Sequence, residues 1–163
     1  MKRAVILSDS HGDETGLRWM LEQLWQSTGP VDLYLHLGDG AADFARLENF
    51  LLARDPHCVP LGVKGNCDFG IDTVPLERFV CFGGQWMLLT HGHRFAVKQT
   101  YSILAEQGRE KGCRAALFGH THKPFLQDED GLMLLNPGSA ADGRLAVLSV
   151  DDKGLLSAEL KEF

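Results

Sequence analysis

Val5-Ile6-Leu7-Ser8-Asp9-Ser10-His11 is a short apolar run that changes abruptly into polar residues able to bind a metal ion. The apolar part predicts a buried strand. Asp13 stands where a helix N-cap is favoured. The next apolar residues have the spacing of an amphipathic helix and are Leu17, Met20, Leu21, Leu24 and Trp25. The chain is therefore predicted to begin with a strand and a helix, joined by a loop that contains potential metal ligands.

Four later apolar runs end in the same way. Their closing motifs are Gly38-Asp39, Gly65-Asn66-Cys67-Asp68, His91-Gly92-His93 and Gly119-His120-Thr121-His122. Alternate residues of an extended stretch can point in the same direction, which favours Asp-x-His and His-x-His as paired ligands. The ends of strands in α/β sheets are also where binding sites collect. Five such motifs in order predict one shared site.

The order of elements predicts the fold class. Strands are predicted over residues 5–7, 33–37, 59–63, 79–82, 86–90, 115–118, 125–127, 132–135, 145–150 and 155–160, and further helices over 42–53 and from Val97 to about Gly108. The front half alternates strand and helix, and the back half is rich in hairpins marked by Gly83-Gly84 and Asp130-Gly131. This favours a mixed α/β fold with helices outside paired sheets. A chain of 163 residues fits a single domain, 1–163.

Composition narrows the function. Lys and Arg total 16 and Asp and Glu total 22, so the net charge is 16 − 22 = −6. That balance argues against long nucleic acid as a partner. No apolar run approaches the roughly 20 residues of a membrane span, and the apolar start is too short for a signal peptide, so we expect a cytoplasmic protein.

The four cysteines form no CxxC pair and are expected to be reduced and mostly buried.

The side chains in the motifs indicate which metals could bind. Carboxylate, imidazole and amide groups together suit Mn, Fe or Zn, whereas Mg would require mainly oxygen ligands. The seven candidates are Asp9, His11, Asp39, Asn66, His91, His120 and His122, which is about the number that two ions need. Two dications with two carboxylates keep a charge of about +2, enough to attract a phosphate group to an acidic protein.

The ordered set D-x-H, G-D, G-N-x-D, H-G-H and G-H-T-H resembles the calcineurin-like metallophosphoesterases, from Val5 to about Ser139. The short length and the GNCD form resemble the small prokaryotic phosphodiesterase subgroup. The resemblance implies a four-layer α/β/β/α sandwich of two mixed sheets flanked by helices. It also implies a dinuclear phosphodiesterase with two divalent ions, commonly Mn, with Fe, Zn, Ni or Co also able to serve.

The resemblance further implies a role for each ligand. Asp9, His11 and His122 would bind the first ion, Asn66, His91 and His120 the second, and Asp39 would bridge both. A hydroxide between two such ions attacks phosphorus in line, so no covalent enzyme intermediate is needed. Asn66 could also donate its amide N–H to the phosphate of a small phosphodiester.

One position departs from the family pattern. Many members read GNH, and that His is thought to assist the leaving group, whereas this chain has Cys67. A thiol is a weak donor, although a cationic surrounding can ionise it. We therefore expect Cys67 to lie in the substrate site and the enzyme to depend on good leaving groups. His93 is the candidate for the catalytic acid role, with a loop-fixing role as the alternative.

Other interpretations stay open at this stage. A phosphomonoesterase or nucleotide pyrophosphatase could use the same centre, with Arg94, Lys98 or Lys123 as an extra cation. A non-catalytic scaffold of the same fold is a third reading, but all seven ligand positions are filled here. A homo-oligomer formed through the hairpin-rich half also stays open. His36 is interpreted as a core histidine, Asp68 as a loop-orienting carboxylate, and 136–139 as a turn that could support the site.

Overall fold

The structure is a computed structural model that describes residues 1–163. Its ten strands, in chain order, are β1 (Lys2–Leu7), β2 (Leu33–His36), β3 (Val59–Gly62), β4 (Glu77–Phe82), β5 (Gln85–Thr90), β6 (Ala115–Leu117), β7 (Phe125–Glu129), β8 (Leu132–Asn136), β9 (Arg144–Val150) and β10 (Leu156–Glu162). Its α-helices are α1 (Glu14–Trp25), α2 (Ala41–Arg46), α3 (Glu48–Arg54) and α4 (Ser102–Glu110), with short 3₁₀ helices at His93–Phe95 and Ala140–Asp142.

The strands form two five-stranded sheets of mixed direction. The first sheet has the order β10-β9-β1-β2-β3, and the second has the order β4-β5-β6-β8-β7. Parallel pairing joins β1 with β2 and β2 with β3 in the first sheet, and β5 with β6 and β6 with β8 in the second. The remaining pairs are antiparallel. Because the strands of each parallel set run in the same direction, their carboxyl ends lie at one edge of each sheet and bring their following loops together.

Three apolar clusters separate four layers. A cluster of 17 buried residues fills the space between the two sheets. A second cluster joins the other face of the first sheet to α1, α2 and α3, and a third joins the second sheet to α4. The predicted α/β/β/α sandwich of two mixed sheets with flanking helices is confirmed. No helix has both the length and the apolar character needed to span a bilayer.

Two predicted helices differ from the structure. The helix predicted over 42–53 is divided at Leu47, whose N–H donates to the Phe44 carbonyl at 3.0 Å in a tight 3₁₀-type bond. The helix predicted from Val97 begins only at Ser102. The segment before it forms turns, in which the N–H groups of Gln99 and Thr100 both donate to the carbonyl of Ala96, a residue with φ +53°. The apolar residues that set the periodicity of both segments are buried or half-buried, but their spacing does not show where the helical backbone is interrupted.

Two of the four cysteines differ from expectation. All four are free, but only Cys58 and Cys113 are buried, whereas Cys67 and Cys81 are exposed. Cys81 lies on β4, an outer strand of the second sheet. Cys67 lies in the loop after β3.

Candidate metal centre

The site lies where the loops after the parallel strands of the two sheets meet. The Asp9 N–H donates to the Gly38 carbonyl at 2.9 Å and joins the loops after β1 and β2. The Gly119 N–H donates to the His91 carbonyl at 3.0 Å and joins the loops after β5 and β6. The His120 N–H donates to Asp9 Oδ2 at 3.1 Å, which links the first sheet to the second. Loops distant in sequence are thereby held in one cluster.

Asp9, His11 and His122 form the first group of potential ligands, called trio one. Their ligand atoms all lie within 4.8 Å of one another. His122 Nε2 is 3.1 Å and His11 Nε2 is 3.5 Å from Asp9 Oδ1. The two imidazole Nε2 atoms are 3.2 Å apart. Two imidazoles and one carboxylate thus converge on one point, as a single ion requires.

Asp39, His91 and His120 form the second group, called trio two, with ligand atoms again within 4.8 Å of one another. His91 Nε2 is 3.2 Å from Asp39 Oδ2 and 3.9 Å from Asp9 Oδ1. Asp39 Oδ2 is also 3.9 Å from His11 Nε2. Trio two therefore adjoins trio one, with Asp39 between histidines of both.

The bonding of these side chains fits divalent ions. Asp9 Oδ1 and His91 Nε2 are buried and have no hydrogen-bond partner. The opposite atoms are already held, since His91 Nδ1 is 2.7 Å from the Leu37 carbonyl and Asp9 Oδ2 accepts from Ser8 Oγ. A ligand fixed at one atom presents the other to a metal, and an unpaired buried polar atom is otherwise costly. These residues are therefore suited to hold a metal.

The ionisable groups of the cluster shift one another's pKa values. Burial alone would lower the pKa of His91, but the Asp39 and Asp9 carboxylates raise it above its ordinary value. Burial would raise the pKa of Asp39, but His91 and the Cys67 N–H hold it below its ordinary value. Burial and His91 lower the pKa of His120 to about 4. A dication would take the place of the His91 proton beside two carboxylates, so protons and metal compete at trio two.

The backbone around the ligands is unusual. Left-handed φ angles occur at seven non-glycine residues, and five of these are predicted ligands: Asp9, His11, Asp39, His120 and His122. Such a conformation costs on the order of 1 kcal/mol for each residue and is concentrated at functional sites. At Gly65, a Cβ would overlap the Asp39 carboxylate, so only glycine allows these two loops to approach so closely.

The remaining predicted residues lie beside the trios. Asn66 is exposed, and its Nδ2 lies 3.5 Å from Cys67 Sγ. Cys67 forms a third group of potential ligands with His11 and Asp39. The half-buried His93 ring lies 5.5 Å from the His91 ring and 6.1 Å from the His120 ring, and its Nδ1 has no partner. Burial and His91 lower the pKa of His93.

Three polar residues outside the ligand set have the supporting or core positions that the sequence predicts. Asp68 accepts from four backbone N–H groups, of Asp39, Gly40, Ala41 and Gly65, at 2.8 to 3.1 Å. These contacts lower the pKa of its carboxyl despite burial, which raises it. Asn136 Nδ2 donates to the Gly119 carbonyl and to Thr121 Oγ1, each at 3.0 Å. His36 is fully buried and belongs to neither trio.

Asp43 is a supporting residue that the sequence did not reveal. It is buried in α2 and accepts from Ser10 Oγ at 2.9 Å and from the Gly12 N–H at 2.8 Å. These two donors flank His11, so Asp43 fixes the loop that carries a member of trio one. The only sequence signal is a carboxylate next to the inward-facing Phe44, which by itself indicates no partner.

This fold and site define a class of α/β proteins with a cluster of carboxylate and imidazole groups at the strand ends, suited to bind metal. The profile of the Calcineurin-like phosphoesterase superfamily domain matches residues 1–152. Over 135 residues the chain is 36% identical to a probable metallophosphoesterase, YsnB, of Bacillus subtilis, covering 83% of this chain and 73% of that protein. The chain therefore belongs to the calcineurin-like phosphoesterase superfamily, which uses divalent metals.

Two further likenesses bear on activity and fold. The phosphodiesterase YfcE of Escherichia coli is 28% identical over 89 residues, which cover 50% of this chain and 44% of that protein. A structure from Streptococcus pneumoniae, described as a predicted phosphoesterase, superimposes with a TM-score of 0.73 at 26% identity and covers 98% of each chain. The family and these relatives indicate a phosphoesterase.

Proposed function

We propose that the protein is a dinuclear metal-dependent phosphodiesterase that acts on small substrates. The observation that carries this proposal is the pair of adjoining trios. Each trio contains a buried atom that forms no hydrogen bond, namely Asp9 Oδ1 in trio one and His91 Nε2 in trio two. In the proposed centre, trio one would hold one ion, and trio two would hold the other with help from Asn66. Asp39 would serve both ions, since its Oδ2 lies 3.2 Å from His91 Nε2 and 3.9 Å from His11 Nε2.

Two bound dications supply an activated water near neutral pH and positive charge for the phosphoryl oxygens. The protein orients these groups through fixed loops. Asp9 and Asp39 are held by backbone N–H groups of His120 and Cys67. The Asn66 amide is exposed and donates one N–H to Cys67 Sγ, so its second N–H would be the donor to a phosphate oxygen of the substrate. Rigid placement of donors before the reaction is what makes them effective in the transition state.

The leaving group receives little help from this chain in our account. Cys67 is a weak donor. Burial and His91 lower the pKa of His93, which disfavours the protonated ring that a catalytic acid needs. We therefore expect rates to fall steeply as the leaving-group pKa rises across a series of aryl phosphodiesters. A flat series that becomes steep in H93Q would instead give His93 the role of catalytic acid.

The first test is hydrolysis of bis-p-nitrophenyl phosphate by metal-stripped protein, with Mn²⁺ then added back. The metal-stripped protein should not hydrolyse this substrate, and Mn²⁺ should restore the activity. Asp39→Asn should lower the restored activity by at least about 100-fold, because the charge between the two ions would be lost. Asp72→Asn is the matched control, since Asp72 is exposed and lies outside both trios. If no hydrolysis is measured with Mn²⁺, Ni²⁺, Co²⁺, Fe²⁺ or Zn²⁺, the result would favour a non-catalytic scaffold.

A phosphomonoesterase or nucleotide pyrophosphatase is the second candidate, favoured by one observation. Lys98 is exposed, and its positive charge contributes to the lowered pKa of His120, so a positive charge acts on trio two. The extra charge of a monoester would use that cation. Diester and monoester rates at equal Mn²⁺, in wild type and in K98A, separate these activities. A monoester preference that disappears in K98A would select the second candidate.

A further inference from the structure

Cys67 lies at the junction of the two trios. Its Sγ and the potential ligand atoms of His11 and Asp39 all lie within 4.8 Å of one another. His11 belongs to trio one and Asp39 to trio two, so the sulfur is placed where the two groups meet. Cys67 is exposed, which puts the sulfur on the open side of the centre.

Two hydrogen bonds fix the position of Cys67 within the centre. Asn66 Nδ2 donates to Cys67 Sγ at 3.5 Å, and the Cys67 N–H donates to Asp39 Oδ1 at 2.8 Å. N–H groups directed at a sulfur tune metal-bound thiolates, and contacts of this kind orient metal ligands in general. The backbone bond to Asp39 also fixes the distance between the thiol and the bridging carboxylate.

We propose that Cys67 is a sulfur ligand of this metal centre and selects soft or borderline ions. On binding, the Sγ–H bond breaks, its proton passes to solvent, and a sulfur lone pair forms the bond to the ion, with no oxidation or reduction. Zn²⁺, Co²⁺ and Cd²⁺ are favoured by such a ligand, and Mn²⁺ is not. The inference rests on the proposed metal centre, but its test measures sulfur coordination and not hydrolysis.

The other cysteines provide controls within the same chain. Cys58 and Cys113 are buried, Cys81 is exposed, and none of the three belongs to a group of potential metal ligands. Cys81→Ser therefore removes an exposed thiol without touching the centre. Cys67→Ser replaces the sulfur with oxygen, and because both residues are exposed, neither change leaves a hole in the core.

The experiment is the absorption spectrum of metal-stripped protein titrated with Co²⁺, in wild type, C67S and C81S. Wild type and C81S should show a sulfur-to-cobalt charge-transfer band in the near ultraviolet, and C67S should lose it. All three should keep the weaker visible cobalt bands, which report the histidine and carboxylate ligands. Those visible bands also show that the centre is intact in each variant.

Two results would overturn the inference while leaving the metal centre in place. One is visible cobalt bands in wild type without a charge-transfer band, and the other is a charge-transfer band that persists in C67S. If cobalt produces no bands at all, both the sulfur ligand and the metal centre are wrong. As a second measurement, C67S should bind Cd²⁺ about tenfold or more weakly while its Mn²⁺ affinity stays nearly unchanged. Equal Cd²⁺ affinity in C67S and wild type would count against the sulfur ligand.

Discussion

At the scale of single residues, the site depends on side chains that are anchored at one atom and free at the other. His91 is anchored by the Leu37 carbonyl and Asp9 by the His120 N–H. The sequence predicted these ligands because their types and spacing follow the ends of strands. It did not predict Asp43, since its contacts with Ser10 and Gly12 join residues about 30 positions apart. Such contacts exist only once the fold has formed.

His36 should make the protein sensitive to acid. Its Nδ1 accepts the Gly38 N–H at 3.2 Å and it is fully buried, and burial lowers its pKa to about 4. The pKa of His36 in the folded protein lies below the value of about 6.5 in the unfolded chain. The neutral, buried His36 therefore contributes to the free energy of unfolding above pH 6.5, and this contribution is lost as the pH falls toward 4. At about 1.4 kcal/mol per tenfold change in proton affinity, the loss is on the order of 3 kcal/mol.

The check is urea unfolding of metal-stripped wild type, H36Q and H57Q at several pH values. H36Q should show a shallower decline between pH 6.5 and 4 than wild type does. H57Q should follow wild type, because His57 is exposed in the loop before β3. Parallel curves for wild type and H36Q would show that His36 is not the group responsible.

At the scale of elements, strands and hairpins were predictable because apolar runs and turn residues are local signals. The division of the helix at Leu47 and the late start of α4 at Ser102 were not predictable, because apolar periodicity records which face is buried and not the backbone path. The loops that hold the ligands are kept together by Asp68, whose four N–H partners lie in the segments after β2 and β3.

Asp68→Asn should therefore loosen two loops at once. Hydrogen bonds to a charged group contribute about 1.5–3 kcal/mol, so we expect the free energy of unfolding to fall by about 2 kcal/mol. Mn²⁺ binding should also weaken, because the loops carry Asp39 and Asn66. Urea unfolding and Mn²⁺ titration check this, with Asp72→Asn as the control for the same change of charge. A loss of stability below about 0.5 kcal/mol would show that the four bonds matter little.

At the scale of the whole molecule, the order of strands was the least predictable feature. β9 follows β8 along the chain but returns to the first sheet, where it pairs antiparallel with β1 over Lys2 to Ile6. No local signal specifies that partner. The result is a core shared by both sheets, which predicts that the chain unfolds as a single domain.

Unfolding should accordingly be one cooperative transition. Trp19 and Trp25 lie on α1 and Trp86 lies on β5, so tryptophan fluorescence reports both the helical layer beside the first sheet and the second sheet itself. Fluorescence and far-ultraviolet circular dichroism of metal-stripped protein should give the same urea midpoint. Two separate midpoints would mean that the sheets unfold independently and that the single-domain prediction is wrong.

The most direct test of the proposed centre counts the ions. Metal-stripped protein is dialysed to equilibrium against Mn²⁺, and the bound metal is measured by elemental analysis in wild type, H122A and H120A. The account predicts two ions per chain in wild type and one in each variant, because each change removes a ligand from a single trio. Wild type that binds one ion or none at saturating Mn²⁺ would contradict the dinuclear centre.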